Sequence, residues 1–203
     1  MSVTHNNKVS IRLMSDGHAF FSATANAAKA DSSVDVAEVM KRGVEAEVVL
    51  CTRKTLLVPS EQLNALTLDE HLILAALAPA LDERVVVSAE VSGIIALMAV
   101  ASSHIEKLEA TGADLRYTSP LLMGDMSQAC VVALYGNLMY VRVADSALRF
   151  ADVVEVATDA DILYYLGAID KVYHIYNIVA RLEGDTARLR TLCKSLFRKI
   201  LCE

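Results

Sequence analysis

The sequence has few of the residues that mark a chemical site or a covalent framework. Its 203 residues include no tryptophan, 3 prolines and 8 glycines, and the 4 cysteines stand apart without CxxC spacing. Scattered cysteines argue against a zinc motif or a disulfide framework and favour reduced thiols. Walker-type GxxxxGK, GxGxxG, GxSxG and HExxH patterns are absent as well. The sequence therefore predicts no catalytic residues, no metal site and no cofactor.

Positive charge and long apolar runs are also scarce. The 19 Lys and Arg residues against 25 Asp and Glu leave a net charge of −6, which argues against nucleic acid as a partner. The basic cluster from Arg188 to Lys199 fits the end of a helix, where cations complement the helix dipole. Residues 91–100, the richest apolar stretch, are fewer than the roughly 18 that a membrane span needs. Residues 1–11 lack a signal core, so we expect a cytoplasmic protein without a membrane span.

Apolar residues, in contrast, are abundant. They make up 54% of the chain, and the mean hydropathy is +0.39. A chain of this size buries roughly 70% of the surface that its unfolded form exposes. The surplus therefore indicates either deeply buried strands or a face that another protein covers.

Residues 128–158 carry the clearest signal for the fold. Three β-rich apolar runs are separated by Gly136-Asn137 and by Asp145-Ser146, as in an antiparallel meander. A helical pattern follows over residues 159–172, and a strand pattern over residues 174–182. A last helix is predicted with Thr186 as its N-cap and an apolar stripe that reaches Leu201.

The N-terminal half is predicted to run through a similar order of elements. Strands are predicted at residues 8–14, 18–24, 45–53, 83–89 and 113–118, with the strand at 83–89 buried on both faces. Pro59 is expected to stop the sheet. Helices are predicted at residues 34–42, 60–66, 71–77 and 91–108, the last of these on its i, i+3, i+4 spacing and with a stop at Gly112.

The repeated order predicts an α/β protein with two similar lobes. Three antiparallel strands followed by helix–strand crossovers give a mixed sheet with helices on its faces. The boundaries that follow from the pattern are residues 8–122 for the first lobe and residues 127–203 for a second, smaller lobe.

This order resembles the ribonuclease-H-like lobes of the actin-like ATPase superfamily, in which two lobes face a nucleotide cleft. More narrowly, the chain resembles a bacterial family of unknown function with an actin-like ATPase fold. The residues that carry the resemblance are IRLMSDGHAFFS at 11–22, KTLLVPSEQLN at 54–64, TSPLLM at 118–123, NLMYVRV at 137–143 and IVARLEGD at 178–185.

The resemblance implies four candidate residues for a cleft: Asp16, Gly17, Gly136 and Gly184. Nucleotide-binding relatives place an acidic residue and a glycine-rich turn at the first hairpin of each lobe, for the metal and the phosphates. Here the first hairpin offers Asp16 and Gly17, whereas the second offers Gly136 without an acid. The turn that would contact adenosine has Gly184 alone. Because of these departures, the four residues are candidates for the lining of a cleft and no cofactor-binding site is predicted.

Other chemistry has a simpler explanation in each case. His71 and His174 are interpreted as partly buried structural residues. Cys51 and Cys130 lie in apolar strand runs, where a thiol is inert because burial raises its pKa. The acid pairs Asp159/Asp161 and Asp69/Glu70 fall at helix starts. The tyrosines form either core or an interface. Six of them lie in the predicted second lobe, namely Tyr135, Tyr140, Tyr164, Tyr165, Tyr173 and Tyr176.

Three functions follow as hypotheses. The first is a non-enzymatic binding or scaffolding protein of the bacterial cytoplasm that has a protein partner or associates with itself. The alternative is a divergent nucleotide-binding ATPase or kinase-like enzyme that uses Asp16, Gly17, Gly136 and Gly184 in the cleft between the lobes. The third is a small-molecule sensor with an unknown ligand in the same cleft.

Overall fold

The computed structural model describes residues 8–15, 19–22, 40, 44–64, 70–124, 126 and 129–202. Within these ranges the chain forms a mixed α/β structure with three sheets and five α-helices, which confirms the predicted α/β class. Contacts divide the chain into two compact units, Met1–Ser119 and Pro120–Glu203. None of the described helices has the length and apolarity that a membrane crossing requires. The helix predicted at residues 34–42 lies, apart from Met40, outside the described residues.

The described part of the first unit contains two sheets. Its elements are β1 (Lys8–Met14), β2 (Ala19–Ser22), β3 (Glu45–Cys51), β4 (Thr55–Pro59), α1 (Ser60–Asn64), α2 (Glu70–Leu77), β5 (Glu83–Val87), β6 (Ile94–Ala101), α3 (Ser102–Glu109) and β7 (Asp114–Thr118). The first sheet has the order β2-β1-β3-β7, with β1, β3 and β7 parallel and β2 antiparallel to β1. The second sheet, β4-β6-β5, is antiparallel. It lies within the connection that joins β3 to the parallel β7.

The helix predicted at residues 91–108 is wrong in its first half. Ile94–Ala101 is β6, the central strand of the second sheet, and residues 95–100 are all buried. An uninterrupted apolar run satisfies the helical and the strand period alike, and pairing with β4 and β5 on both sides decides for the strand. The helix α3 begins afterwards at Ser102 and buries Ile105 and Leu108. The predicted stop is confirmed, since Gly112 has φ = +72°.

The strands that flank β6 correct two further predictions. Residues 56–60 were expected to end the sheet, but Thr55–Pro59 forms β4, an edge strand. The strand itself does end at Pro59, and α1 follows at Ser60. β5 is the other edge strand and is not buried on both faces, because Val87 is 47% exposed.

The second unit contains a single five-stranded sheet. Its elements are β8 (Ala129–Tyr135), β9 (Leu138–Ala144), β10 (Leu148–Glu155), α4 (Asp159–Tyr173), β11 (Val179–Gly184), α5 (Thr186–Cys193) and β12 (Lys199–Cys202). The sheet order is β10-β9-β8-β11-β12. β8, β9 and β10 pair antiparallel, which confirms the predicted meander, and β11 and β12 add parallel strands beside β8. Counted along this unit, the strand order is 3-2-1-4-5.

The β8–β9 hairpin is the centre of the second unit. All seven residues of β8 and all seven of β9 are buried. On one face, side chains such as Val132 and Val141 pack in a core to which α4 and α5 contribute Ile162 and Leu189. Burial on both faces explains why both strands read as continuous apolar runs rather than as an alternating pattern.

The C-terminal helix predicted to reach Leu201 is wrong beyond Cys193. The helix α5 ends there, and Lys199–Cys202 forms β12, which pairs parallel with β11. Its N-cap is Asp185 rather than Thr186, since the Asp185 carboxylate accepts the N–H of Arg188 at 3.0 Å. The chain turns at Cys193, whose carbonyl accepts the N–H of Phe197 at 3.1 Å. Phe197 is thereby buried, so the apolar spacing after Cys193 belongs to a turn and a strand.

Two polar side chains in the second unit have structural roles. The Arg142 side chain on β9 is 1% exposed, and its Nη1 donates to the carbonyls of Leu121 and Met123, each at 3.0 Å. It thereby ties the segment before β8 to the sheet. On the edge strand β10, the Asp152 carboxylate accepts the amide N–H of Val153 at 2.8 Å.

Replacing Arg142 is therefore expected to destabilise the chain. Arg142→Ala leaves two carbonyls without this donor and creates a cavity, so the free energy of unfolding should fall by about 3 kcal/mol. Arg142→Lys should lose about half of that. Urea denaturation measures both, with Arg149→Ala on the exposed side of β10 as a control expected within about 0.5 kcal/mol of the wild type. Equal stability of Arg142→Ala and the control would show that the hydrogen bonds of Arg142 to the segment before β8 do not stabilise the fold.

Candidate functional site

The four candidate residues have different outcomes. Asp16 and Gly17 lie outside the described residues. Gly136 and Gly184 both belong to the second unit, and the sheet brings their chain segments together. Gly184 pairs in register with Leu134, two residues before Gly136. Both glycines therefore lie at the carboxyl ends of β8 and β11, the edge at which α/β sheets commonly bind ligands.

The turn at Gly136 is the shortest that a hairpin allows. Tyr135 pairs with Leu138, so Gly136 and Asn137 alone form the turn. Gly136 has φ = +61°, and Asn137 has no positive φ, as in a type II′ turn. The Asn137 carbonyl accepts the N–H of Val156 at 2.8 Å. At most two backbone amides remain outside the paired strands, fewer than a phosphate-binding loop uses.

Gly184 is required by a close backbone contact. It has φ = +71°, and a Cβ at this position would lie 2.1 Å from the carbonyl oxygen of Leu134. The next residue, Asp185, donates its N–H to the same oxygen at 2.9 Å. A glycine is therefore needed where β11 passes the end of β8, whether or not a ligand binds.

Both helix N-termini in this unit are capped by the protein's own oxygens. At α4, the Thr158 hydroxyl accepts the N–H of Asp161 at 3.3 Å, and the Asp161 carboxylate accepts the N–H groups of Ala157 and Thr158 at 3.0 and 2.8 Å. The hydrogen bond from the Thr158 backbone is the main cause of a lowered pKa at Asp161. At α5, Asp185 plays the corresponding part. These bonds confirm that Asp161 serves a helix start.

An ion pair joins the two helix starts. Arg188 Nε in the first turn of α5 lies 2.7 Å from Asp159 Oδ1 in the first turn of α4. The side chains are 33% and 56% exposed, so the pair contributes little stability. The pair matters for ligand binding, because the Arg188 guanidinium and the Asp159 carboxylate already occupy the space beside both helix N-termini.

A cavity of about 170 Å³ lies in the first unit at the carboxyl ends of β1 and β3. Its polar lining includes Ser15, Thr52, Asp82 and Glu83. Ser15 directly precedes Asp16 in the sequence, so the cavity is adjacent along the chain to the predicted acid. Asp82 and Glu83 were not predicted, since they lie at the start of β5, which is distant in sequence from β1, and no local motif marks them.

Hydrogen bonds fix the polar groups of this cavity. Lys54 Nζ lies 2.6 Å from Glu83 Oε2, which also accepts the N–H of Ala80 at 2.7 Å. The Lys54 hydrogen bond, followed by the Ala80 amide, holds the pKa of Glu83 below its ordinary value of 4.5. The Thr52 hydroxyl donates to the Ala99 carbonyl at 3.1 Å and accepts the N–H of Lys54 at 3.2 Å. These groups therefore have structural partners.

The cysteines and histidines hold no catalytic arrangement among the described residues. Cys51 and Cys130 are buried, and burial raises the pKa of Cys130, which confirms that this thiol is inert. Burial likewise raises the pKa of Cys193 to about 11. His174 is exposed and ends α4 in the left-handed conformation at φ = +51°, so its predicted partial burial is wrong. In the described part of the chain, no three His, Cys, Asp or Glu side chains are placed to hold a metal ion.

An apolar groove in the second unit was missed by the sequence analysis. It has a volume of about 200 Å³ and lies between α4 and the strands β9 and β10. Its lining residues are Val141, Phe150, Asp152, Val154, Tyr165, Ala168, Ile169, Val172 and Tyr173. The signal that could have found it is the apolar character of α4 on both its inner and its outer face.

Substitution of Gly184 tests the close backbone contact. Gly184→Ala combines a positive φ with a backbone clash, so we expect the free energy of unfolding to fall by at least about 3 kcal/mol. Gly93→Ala is the matched control, because Gly93 has φ = +76° and no atom within 4 Å of the added Cβ. It should cost about 1–2 kcal/mol. Equal melting temperatures for the two variants would show that the contact with Leu134 is not limiting.

The ion pair at Glu83 predicts a pH dependence. A lowered pKa means that folding favours the charged carboxylate, so its contribution is present above pH 4.5 and is lost as the pH falls through the lower pKa of the folded state. Glu83→Gln should cost about 0.5–1 kcal/mol at neutral pH and nothing in strong acid. Glu106→Gln on the exposed side of α3 is the control. Urea denaturation at both pH values checks this, and a loss that is independent of pH would exclude the ion pair as its cause.

Comparisons with known proteins place the fold. No protein-family model and no curated protein matches the sequence. The chain is similar to a Bacteroides thetaiotaomicron protein with an actin-like ATPase fold and unknown function, at a TM-score of 0.66 and 14% identity over 100% of this chain and 93% of the other. It is also similar to the cytoplasmic domain of EpsL, an inner membrane component of the type II secretion system of Vibrio cholerae, at a TM-score of 0.50 and 18% identity over 97% and 85% of the two chains. The predicted resemblance to a protein of unknown function with an actin-like ATPase fold is thereby confirmed.

Proposed function

We propose that the chain is a non-catalytic binding or scaffolding protein on an actin-like fold. The main support is the structure at the carboxyl ends of β8 and β11, the edge of the second unit at which a phosphate would bind. The turn there contains two residues, the amides of both helix starts are bonded to Thr158, Asp161 and Asp185, and Arg188 is paired with Asp159. A phosphate would have to displace these bonds before it could bind a helix N-terminus.

The proposal includes two ribonuclease-H-like lobes, with residues 8–122 and 127–203 as their bounds. The strand order 3-2-1-4-5 of the second unit supports this, since a three-stranded meander is extended by two parallel strands through α4 and α5. The first unit supports it with antiparallel β1 and β2 followed by parallel β3 and β7.

A protein partner in the bacterial cytoplasm is the proposed ligand class. The net charge of −6 disfavours a nucleic-acid backbone. The similar EpsL domain is cytoplasmic and belongs to a component of a secretion system, which supports a role in a protein assembly. Tyr164, Leu163 and Val172, which are exposed on α4, provide suitable surface, because aromatic residues are enriched at interfaces.

The alternative is nucleotide or small-molecule binding by the first unit. The cavity at the carboxyl ends of β1 and β3 favours it, because α/β sheets bind ligands at this edge. Its volume of about 170 Å³ is below the roughly 300 Å³ at which small-molecule pockets begin. A whole nucleotide would therefore need additional space beyond the cavity.

Thermal unfolding with nucleotide separates the two proposals. A ligand that binds the folded state at about 100 times its Kd stabilises it by about 2.7 kcal/mol, which raises the melting temperature by several degrees. We expect no rise with millimolar Mg-ATP and no phosphate release above a protein-free control. A rise that is lost in Asp16→Asn would support the alternative and overturn the non-catalytic proposal. A rise without phosphate release would indicate a sensor.

A further inference from the structure

The outer face of α4 is apolar and exposed. Ala160, Tyr164, Ala168 and Val172 follow one another at intervals of four residues, and all four are exposed. Tyr164 is 73% exposed and Val172 67%. Residues at this spacing form one ridge on a helix. We call these four residues the α4 ridge.

The inner face of α4 is apolar too. Ile162 and Leu166 are 0% exposed and belong to the core of the second unit, where Ile169 also packs. A helix that is apolar on both faces is typically covered on both. In the described structure, the sheet covers the inner face and nothing covers the ridge.

The surface of the ridge alternates large and small side chains. The ring of Tyr164 packs edge-on against that of Tyr165, with ring centroids 5.6 Å apart. The next ridge residue, Ala168, lines the groove between α4 and β10. A large residue beside a small one allows a second helix with the same ridge to interdigitate when it runs in the opposite direction.

The charges of α4 favour an antiparallel copy of the same helix. Its first turn is acidic, with Asp159 and Asp161. In its last turn, Lys171 is the exposed charge, while the half-buried Asp170 accepts the N–H of Tyr176 at 2.9 Å. An antiparallel copy sets the acidic turn of one helix beside the lysine of the other and also opposes the helix dipoles. A parallel copy would set like charges together.

We propose that α4 is a self-association surface, on which a second copy of the chain binds antiparallel about a two-fold axis. Tyr164 of each copy then packs on Ala168 of the other, and Ala160 lies opposite Val172. The interface is isologous, as a closed dimer requires. This inference rests on the proposed binding function and names its partner as a second copy of the chain.

The size of the surface sets the expected strength. The 15 residues of α4 span about 22 Å, so one helix pair with the adjoining groove falls at or below the roughly 800 Å² per partner of a standard interface. We therefore expect a dimer with a dissociation constant in the micromolar range.

Sedimentation equilibrium of the full chain tests the proposal at about 1 to 100 μM, a range that spans a micromolar dissociation constant. Ala168→Arg places a charge at the centre of the ridge and should lower the association constant at least tenfold. Ala187→Arg, an exposed alanine on α5, is the matched control and should leave it unchanged. Circular dichroism verifies that each variant is folded, and Lys171→Glu, at an exposed position, should weaken the dimer several-fold.

Two results would overturn the proposal: a monomer at every concentration, or equal association of Ala168→Arg and Ala187→Arg. A monomer that also ignores Mg-ATP would leave the binding function in place and remove the second copy as its partner. A dimer that binds Mg-ATP would support the second copy as a partner and count against the proposed non-catalytic function.

Cysteine crosslinking tests the direction of the two helices. Cys202, the exposed one of the four cysteines, is first changed to Ser. Tyr164→Cys and Ala168→Cys chains should then form a disulfide mainly when mixed, because the antiparallel arrangement sets position 164 beside position 168. Efficient crosslinking of each chain with itself, and none between the two, would show a parallel arrangement and contradict the antiparallel dimer.

Discussion

Burial of the β8–β9 hairpin on both faces is the constraint on which the second unit depends. A strand without a solvent face must be covered on both sides, and α4 and α5 cover one side of the hairpin with apolar side chains such as Ile162 and Leu189. It also requires that any charge within the hairpin be bonded internally. Arg142 meets this requirement by donating to the carbonyls of Leu121 and Met123. The same hairpin thus determines the sheet order, the positions of the helices and the course of the preceding segment.

Much of this fold can be predicted from the sequence where apolar and polar residues alternate. β1 alternates over residues 8–14, and its predicted bounds are confirmed. β6 and β12 were missed because their residues satisfy the helical period as well, and their identity depends on pairing with other strands. Local spacing contains no information about such pairing. The predicted helix stop at Gly112 was confirmed, since Gly112 acts through its own backbone conformation.

The sequence allowed residues of the candidate site to be named, but not the structural reason for which each is there. Gly136 and Gly184 were identified by their place in a resembling family, and the structure brings their segments together at one edge of a sheet. The reason for Gly184 is the carbonyl of Leu134, a contact between residues 50 positions apart that no motif records. The bonds that fill the helix starts were partly readable, because Thr158 and Asp161 have the spacing of a capping box. The ion pair of Asp159 with Arg188 on α5 could not be read from the sequence.

Asp152 has a consequence for how the chain can associate. Edge strands expose unpaired donors on which another strand can grow, and proteins protect them with charged side chains and irregular pairing. Asp152 occupies the amide of Val153, and the pairing of β10 with β9 shifts between Leu148 and Phe150. Continued addition of strands at β10, which leads to open-ended fibres, is thereby opposed. At this edge, copies of the chain can therefore meet through side chains rather than through a backbone ladder, and contacts of that kind can form a closed assembly.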